Sequence, residues 1–212
     1  MTMKGNKLAL LLLLVVALEI LLFTGSDADP FWGRRRRRRR RRRHVPPCSS
    51  SRPSSPRWVN GWQKSFNVRC PNKYSLRIWQ SLHRNCKGDR IHYFQCKYGP
   101  FADQNWHCSS TQYVNHYDRQ LVFKCAKNGV IAGVKSTYSY RAKDRRFSFR
   151  CCHIPGHVAH TCKHTAIQND WDKPMRYVVP KDYYLVGAFS EHQNSKEDRI
   201  WIFEICKFGK VC

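Results

Sequence analysis

The sequence predicts an all-β domain: three antiparallel β repeats of about 55 residues, in a pseudo-threefold arrangement and stapled by disulfides. Three observations predict it. An Asp-Arg pair, followed by alternating aromatic residues and a closing cysteine, occurs at Asp89–Cys96, Asp144–Cys151 and Asp198–Cys206, at offsets of 55 and 54. Stretches rich in β-branched and aromatic residues recur in each repeat with apolar side chains at alternate positions, and no amphipathic helix interrupts them. Eleven cysteines are too many for a reduced cytosolic chain without a clear metal pattern.

Taken in order, the chain opens with Lys4 and Lys7 before an apolar run from Leu8 to Phe23, broken only by Glu19. The small residues Thr24, Gly25, Ser26 and Ala28 follow. This layout reads as a secretory signal peptide over residues 1–26, cleaved after Ser26 or Ala28. An uncleaved membrane anchor is the alternative, against which stand the shortness of the run and Glu19. The mature chain is therefore expected to be secreted into the extracellular space or matrix, oxidised, and without stable membrane insertion.

Residues 27–57 read as a basic tail with a Pro/Ser-rich linker that has no apolar surface to bury. Its arginines are one unbroken run: Arg34, Arg35, Arg36, Arg37, Arg38, Arg39, Arg40, Arg41, Arg42 and Arg43. Three readings stay open: an arm for polyanions, a cutting site for a basic-site protease, or a low-complexity expansion without a role. A run this basic just after a signal also opposes translocation.

The globular part, 58–212, divides into repeats 58–112, 113–166 and 167–212. Trp58-Val-Asn opens the first and Tyr113-Val-Asn the second. The first strand alternates as Phe66/Val68/Cys70 and Leu121/Phe123/Cys125, with Val179 in the third repeat where a cysteine is expected. Middle strands lie near Leu76–Leu82, Val130–Tyr138 and Tyr184–Ser190. The last strands carry His92/Phe94/Cys96, Phe147/Phe149/Cys151 and Trp201/Phe203/Ile205 on one face, the expected core face. Three strands per repeat give about nine.

The triplicated Asp-Arg motif, the opening Trp58-Val-Asn, the adjacent Cys151-Cys152 and Gly129-Val-Ile-Ala-Gly133 resemble the dermatopontin family, which includes the haemagglutinin/amebocyte aggregation factors of invertebrates. The resemblance covers Trp58 to Cys212 and leaves out the arginine run, the linker and Cys86. It implies a protein that binds proteoglycans and sulfated glycosaminoglycans, assists collagen fibril assembly and supports cell adhesion through surface receptors, or that agglutinates cells. The acidic, tyrosine-rich N-terminal stretch of the family is basic here, so tyrosine-sulfate chemistry does not carry over.

Repeat logic proposes the bridges. Cys70 pairs with Cys96 and, by the same geometry, Cys125 with Cys152; Cys206, lacking a cysteine at Val179, takes Cys162; Cys108 then pairs with Cys151. The resemblance implies the same set. Cys48, Cys86 and Cys212 remain, an odd number, and the cysteine that relatives carry near position 158 is Val158 here. One leftover bridges another or joins two chains as a disulfide-linked homodimer.

The charge carries most of the functional content. Lys and Arg number 39 against 14 Asp and Glu, a net +25. From Trp58 onward 25 oppose 11, or +14, so the excess belongs to the domain as well as the tail. Such a surface seeks polyanions. The second repeat concentrates the cations: Lys135, Arg141, Lys143, Arg145, Arg146 and Arg150. Asp89-Arg90, Asp144-Arg145 and Asp198-Arg199 read either as a recurring ligand contact or as framework, Asp capping a turn and Arg bonding loop carbonyls, and recurrence favours framework. Lys87-Gly88-Asp89 resembles an integrin tripeptide whose Asp the turn already claims. His153, His157, His160 and His164 suit either zinc or an exposed, pH-sensitive polyanion contact, and the bridging of the nearby cysteines argues against metal. No Gly-x-Ser-x-Gly, phosphate loop or paired zinc histidines around a Glu occurs, so the chain reads as a non-enzyme without cofactor or metal. Secretion and disulfides argue against nucleic acid as the polyanion.

Overall fold

The computed structural model describes residues 48–211; the candidate signal peptide, the arginine run and Cys212 lie outside the described residues. Within them the fold is all-β. Its strands are β1 (Phe66–Arg69), β2 (Tyr74–Arg84), β3 (Asp89–Tyr98), β4 (His107–Ser110), β5 (Leu121–Lys124), β6 (Val130–Ser139), β7 (Asp144–His153), β8 (His157–His164), β9 (Met175–Val178), β10 (Tyr184–Gln193) and β11 (Asp198–Lys210). A 3-10 turn, Asn85–Lys87, is the only helical element among the described residues.

The connectivity is an exchange. β2–β3, β6–β7 and β10–β11 are antiparallel hairpins. The short strand before each hairpin pairs with a different hairpin: β1 with β6, β5 with β10, and β9 with β2. Three sheets result, β1-β6-β7-β4 (sheet A), β3-β2-β9 (sheet B) and β5-β10-β11-β8 (sheet C). The expectation of about nine strands falls short of the eleven formed. The difference is β4 and β8, polar segments at the ends of the first two repeats that pair with the outer edges of β7 and β11. Without alternating apolar residues they carry no strand signature of their own.

Period-two alternation turns the aromatics of all three hairpins into one core. Trp79, Phe147, Phe149, Trp201 and Phe203 are fully buried. The Trp79 ring lies 4.7 Å from Trp201 and 5.3 Å from Phe203, and Phe147 meets Trp201 edge-on at 5.0 Å. Such contacts add specificity to the burial of the rings themselves, worth roughly 2–3 kcal/mol each.

Five disulfides fall into two kinds and a clasp. Cys70–Cys96 and Cys125–Cys151, both 26 residues apart, tie the end of an exchanged strand to the last strand of its own repeat. Cys108–Cys152 and Cys162–Cys206, both 44 apart, hold β4 and β8 against β7 and β11. The expected pairs Cys125–Cys152 and Cys108–Cys151 are thus corrected: the two partners exchange. Neighbouring residues of a strand face opposite sides, so Cys151 and Cys152 cannot serve the same direction. The third motif carries one more residue before its cysteine, so Cys206 corresponds to Cys152 and Ile205 to Cys151. Where the third bridge of the first kind would lie, Val179 and Ile205 are both buried. Cys48 and Cys86, left unassigned by the sequence, form the clasp that ties the start of the described chain to the turn between β2 and β3.

Candidate functional site: a cationic sheet face

The Asp-Arg pairs come first because they decide which cations are free. Each Asp accepts a two-pronged contact from the Arg of the next repeat. Arg145 meets Asp89 (Nε–Oδ1 2.6 Å, Nη2–Oδ2 2.8 Å), Arg199 meets Asp144 (2.7 and 2.6 Å), and Arg90 meets Asp198 (2.6 and 2.8 Å). The circuit closes on itself, and all six side chains are buried. Backbone N–H groups of Gln63, Asp118 and Asp172 also donate to these carboxylates, and the arginines donate to the carbonyls of Lys64, Arg119 and Lys173. Asn60, Asn115 and Asn169 of the repeat openings bond the carbonyls of Arg90, Arg145 and Arg199.

At Asp198, burial would raise the carboxyl, but hydrogen bonds from His83 and Arg90, with their charges, outweigh it and hold it well below the usual carboxylate range. His92, inside the ring, is pushed well below the usual histidine range by burial first and then by Arg145 and Arg90. The motif is framework. Arg145, expected to bind a polyanion, is turned inward: it is 4% exposed and held by the Asp89 carboxylate and the Lys64 carbonyl. The same contact removes the integrin-like reading of Lys87-Gly88-Asp89. The depression at the ring, about 20 Å³, holds about one water and no sugar.

On sheet A the remaining cations converge. Alternation along β7 sends Phe147 and Phe149 inward and Arg146, Ser148 and Arg150 outward. In register, Arg69 of β1 and Arg150 of β7 flank Gly133 of β6, and Lys135 lies beside Ser148. Arg69, Lys135, Arg150, Ser110, Thr111 and Ser148 line a trough of about 130 Å³ that contains no carboxylate. Gly133, held between Arg69 and Arg150, has no room for a side chain: a Cβ there would lie 2.6 Å from the Val68 carbonyl oxygen and 3.1 Å from Arg150 Cβ. The corresponding place on sheet C shows what makes sheet A different. Gly187 is flanked there by Lys124 and Glu204, which neutralise one another at 2.6 Å. Two guanidinium groups and an ammonium without an acidic partner among the described residues have the donor geometry that planar or tetrahedral anions require.

A family model described as Dermatopontin matches residues 60–211. The chain belongs to the dermatopontin family. Among curated relatives, the Hemagglutinin/amebocyte aggregation factor of Limulus polyphemus is 39% identical over 155 residues, 72% of this chain and 88% of that protein. Dermatopontin of Biomphalaria glabrata is 28% identical over 150 residues (71% and 99%), and dermatopontin of Mus musculus 25% over 154 (71% and 76%). No solved structure matches the chain.

Within this dermatopontin-family fold the other expected residues scatter. Arg146 sits over the rings of Tyr113 at 4.6 Å and Tyr117 at 4.8 Å, on the same sheet face as Lys135. Arg141 is exposed in the β6–β7 turn, whereas Lys143 is taken up by Glu197. The four histidines do not converge: His153 stacks on His107, His157 packs on Phe101, His160 bonds Thr161, and His164 lies against Phe189 and 3.8 Å from Glu204. Arg69 was not singled out from the sequence, because nothing local distinguishes it; only the exchange of β1 onto β6 brings it beside Arg150. Arg34 to Arg43 lie outside the described residues.

Proposed function

We propose that this protein is a non-enzymatic, extracellular binder of sulfated glycans, supporting matrix assembly and cell adhesion, with the outer face of sheet A as its binding surface. The observation that carries this reading is the trough of Arg69, Lys135 and Arg150, which no carboxylate lines, while its counterpart on sheet C is neutralised by Glu204. Arg146 and Arg141 continue the positive track toward the β6–β7 turn. The arginine run would add a second, tethered contact, so affinity comes from several modest, salt-sensitive interactions. Secretion is supported by the N-terminal segment and by five disulfides.

A second reading is an agglutinin that joins cells or microbes through surface polyanions. It is favoured by the 39% identity to the Limulus aggregation factor, against 28% or less for the dermatopontins. Aggregation needs two binding sites per particle, so non-reducing electrophoresis separates the two readings: a disulfide dimer supports the agglutinin.

The binding surface is tested by heparin and dermatan sulfate affinity against salt, for the secreted chain, a form without residues 34–43, and a form with Arg69, Lys135 and Arg150 changed to Ser. Retention that survives loss of the run but not loss of the three cations is expected. Retention unaffected by the triple change would place the site elsewhere.

A further inference from the structure

The clefts between adjacent sheets hold a second feature that the charged face does not use. In sequence, Tyr74, Gly129 and Tyr183 occupy one position of the three repeats, five residues after the end of the exchanged strand. Tyr98, His153 and Lys207 occupy another. In the first repeat Tyr74 lies on Tyr98, ring to ring at 4.3 Å. In the third, Tyr183 sits between two lysines, 4.6 Å from Lys163 Nζ and 5.4 Å from Lys207 Nζ. Both repeats thus carry a tyrosine packed on its cross-strand neighbour. In the second repeat Gly129 stands at that position, and just before it Ala126 and Lys127 line a cavity of about 330 Å³ between sheets A and C.

Its walls combine aromatic, hydroxyl and cationic groups. His107 and His153 face one another across β4 and β7, rings stacked at 5.4 Å. Lys127 enters from the turn after β5, and Phe123 contributes an aromatic side chain that itself stacks on Phe149 at 4.5 Å. Ser109 and Thr111 add hydroxyls, and Thr111 lines both this cavity and the trough on the outer face. The other charged group at the wall, Lys124, is engaged by Glu204, and no carboxylate lines the cavity. An aromatic ring, hydroxyls, two imidazoles and an unpaired ammonium around such a volume suit a ligand that has an apolar ring face, several hydroxyls and a negative charge.

We infer that the sheet A–sheet C cleft is a pocket for a single anionic sugar unit, sulfated or carboxylated, of the polyanion that the outer face holds. The inference deepens the proposed glycan binding: the outer face supplies charge along the chain, and the cleft selects one residue of it. Phe123 packs against the pyranose ring, Lys127 and the histidine pair take the anion, and Ser109 and Thr111 take ring hydroxyls.

The tyrosine that the other two repeats carry at this position supplies the test. Gly129→Tyr restores the tyrosine. The backbone there is not left-handed, but a Cβ meets the carbonyl oxygens of Ala126 at 3.1 Å and Cys152 at 3.2 Å, so a second variant, His153→Ala with Lys127→Ala, guards against misfolding. Calorimetric titration of the full secreted chain would use a heparin-derived sulfated disaccharide, free glucuronic acid, and lactose as the neutral control. The expected result is that the sulfated or the carboxylated sugar binds, lactose does not, and each variant weakens that binding by about tenfold or more. Which anionic sugar binds identifies the favoured charge. Heparin polymer retention by the same variants should persist through Arg69, Lys135 and Arg150. Equal binding of lactose, or unchanged sugar binding in both variants, overturns the inference. So does loss of the disaccharide on changing Arg69, Lys135 and Arg150 alone, which would place the sugar on the outer face. Disaccharide binding without any heparin retention would instead leave the cleft standing and sink the outer-face reading.

Discussion

Arg145 and Arg146 are adjacent and chemically identical, yet they have opposite fates. Strand alternation turns Arg145 into the ring of ion pairs and Arg146 out onto Tyr113 and Tyr117. Changing Arg145 to Met strands the buried Asp89 carboxylate, and a loss of about 3–5 kcal/mol is expected in urea unfolding. Changing Arg146 to Met should leave stability nearly untouched and lower heparin retention modestly. Arg150 permits a sharper test. Arg150→Glu copies the arrangement of Lys124 and Glu204 on sheet C, so Arg69 gains a partner and the trough its first carboxylate. Heparin should then elute at clearly lower salt with the unfolding midpoint unchanged; unchanged elution would show that the trough contributes nothing.

Among the elements, the exchanged strands and the two added edge strands depend on close approach and on covalent staples. Gly133 lets β1 lie against β6, because a Cβ would press on the Val68 carbonyl at 2.6 Å. Gly133→Ala should cost about 1–3 kcal/mol and, by displacing β1, move Arg69 away from Arg150. Thermal unfolding and heparin elution should shift together. β4 is four residues long and polar, and its Cys108–Cys152 bridge joins directly opposed positions 4.0 Å apart at Cα. Replacing both cysteines with Ser should release β4 at a cost of about 2–4 kcal/mol. Amide exchange of Cys108–Ser110 should rise before that of β6 or β7, since a short edge strand opens locally first.

For the whole molecule, the closed circuit of ion pairs ties stability to pH. His92 sits in the folded state well below its unfolded value, so the unfolded chain takes up the proton first. Stability therefore declines as pH falls through about 6.5, the ordinary histidine value. Asp198 is depressed instead, so its contribution is complete above the ordinary carboxyl value of about 4 and is lost as pH falls below it. Two successive losses in melting temperature are expected on acidification. His92→Phe, which copies Phe147 at the corresponding position, should flatten the upper one, at the cost of the 3.2 Å bond from Trp79 Nε1. An identical decline in the variant between pH 7.5 and 5 would exclude His92 as its source.

The sequence by itself determined the all-β class, the bridges Cys70–Cys96 and Cys162–Cys206, and the concentration of cations near Lys135 and Arg150, and it favoured a framework role for the Asp-Arg motif. These follow from local information: period-two alternation, turn residues and repeat spacing each act over a few residues or one repeat. What only the tertiary structure decided is which strands become neighbours. Alternation says which face a side chain takes but not whose strand lies beside it. The sequence could therefore interchange Cys151 and Cys152, count Arg145 among free cations and overlook Arg69, whose partner Arg150 lies on a strand of another repeat. The cleft between sheets A and C is likewise visible only in space, because its walls come from β4 and β7 on one side and from β5 and the turn after it on the other.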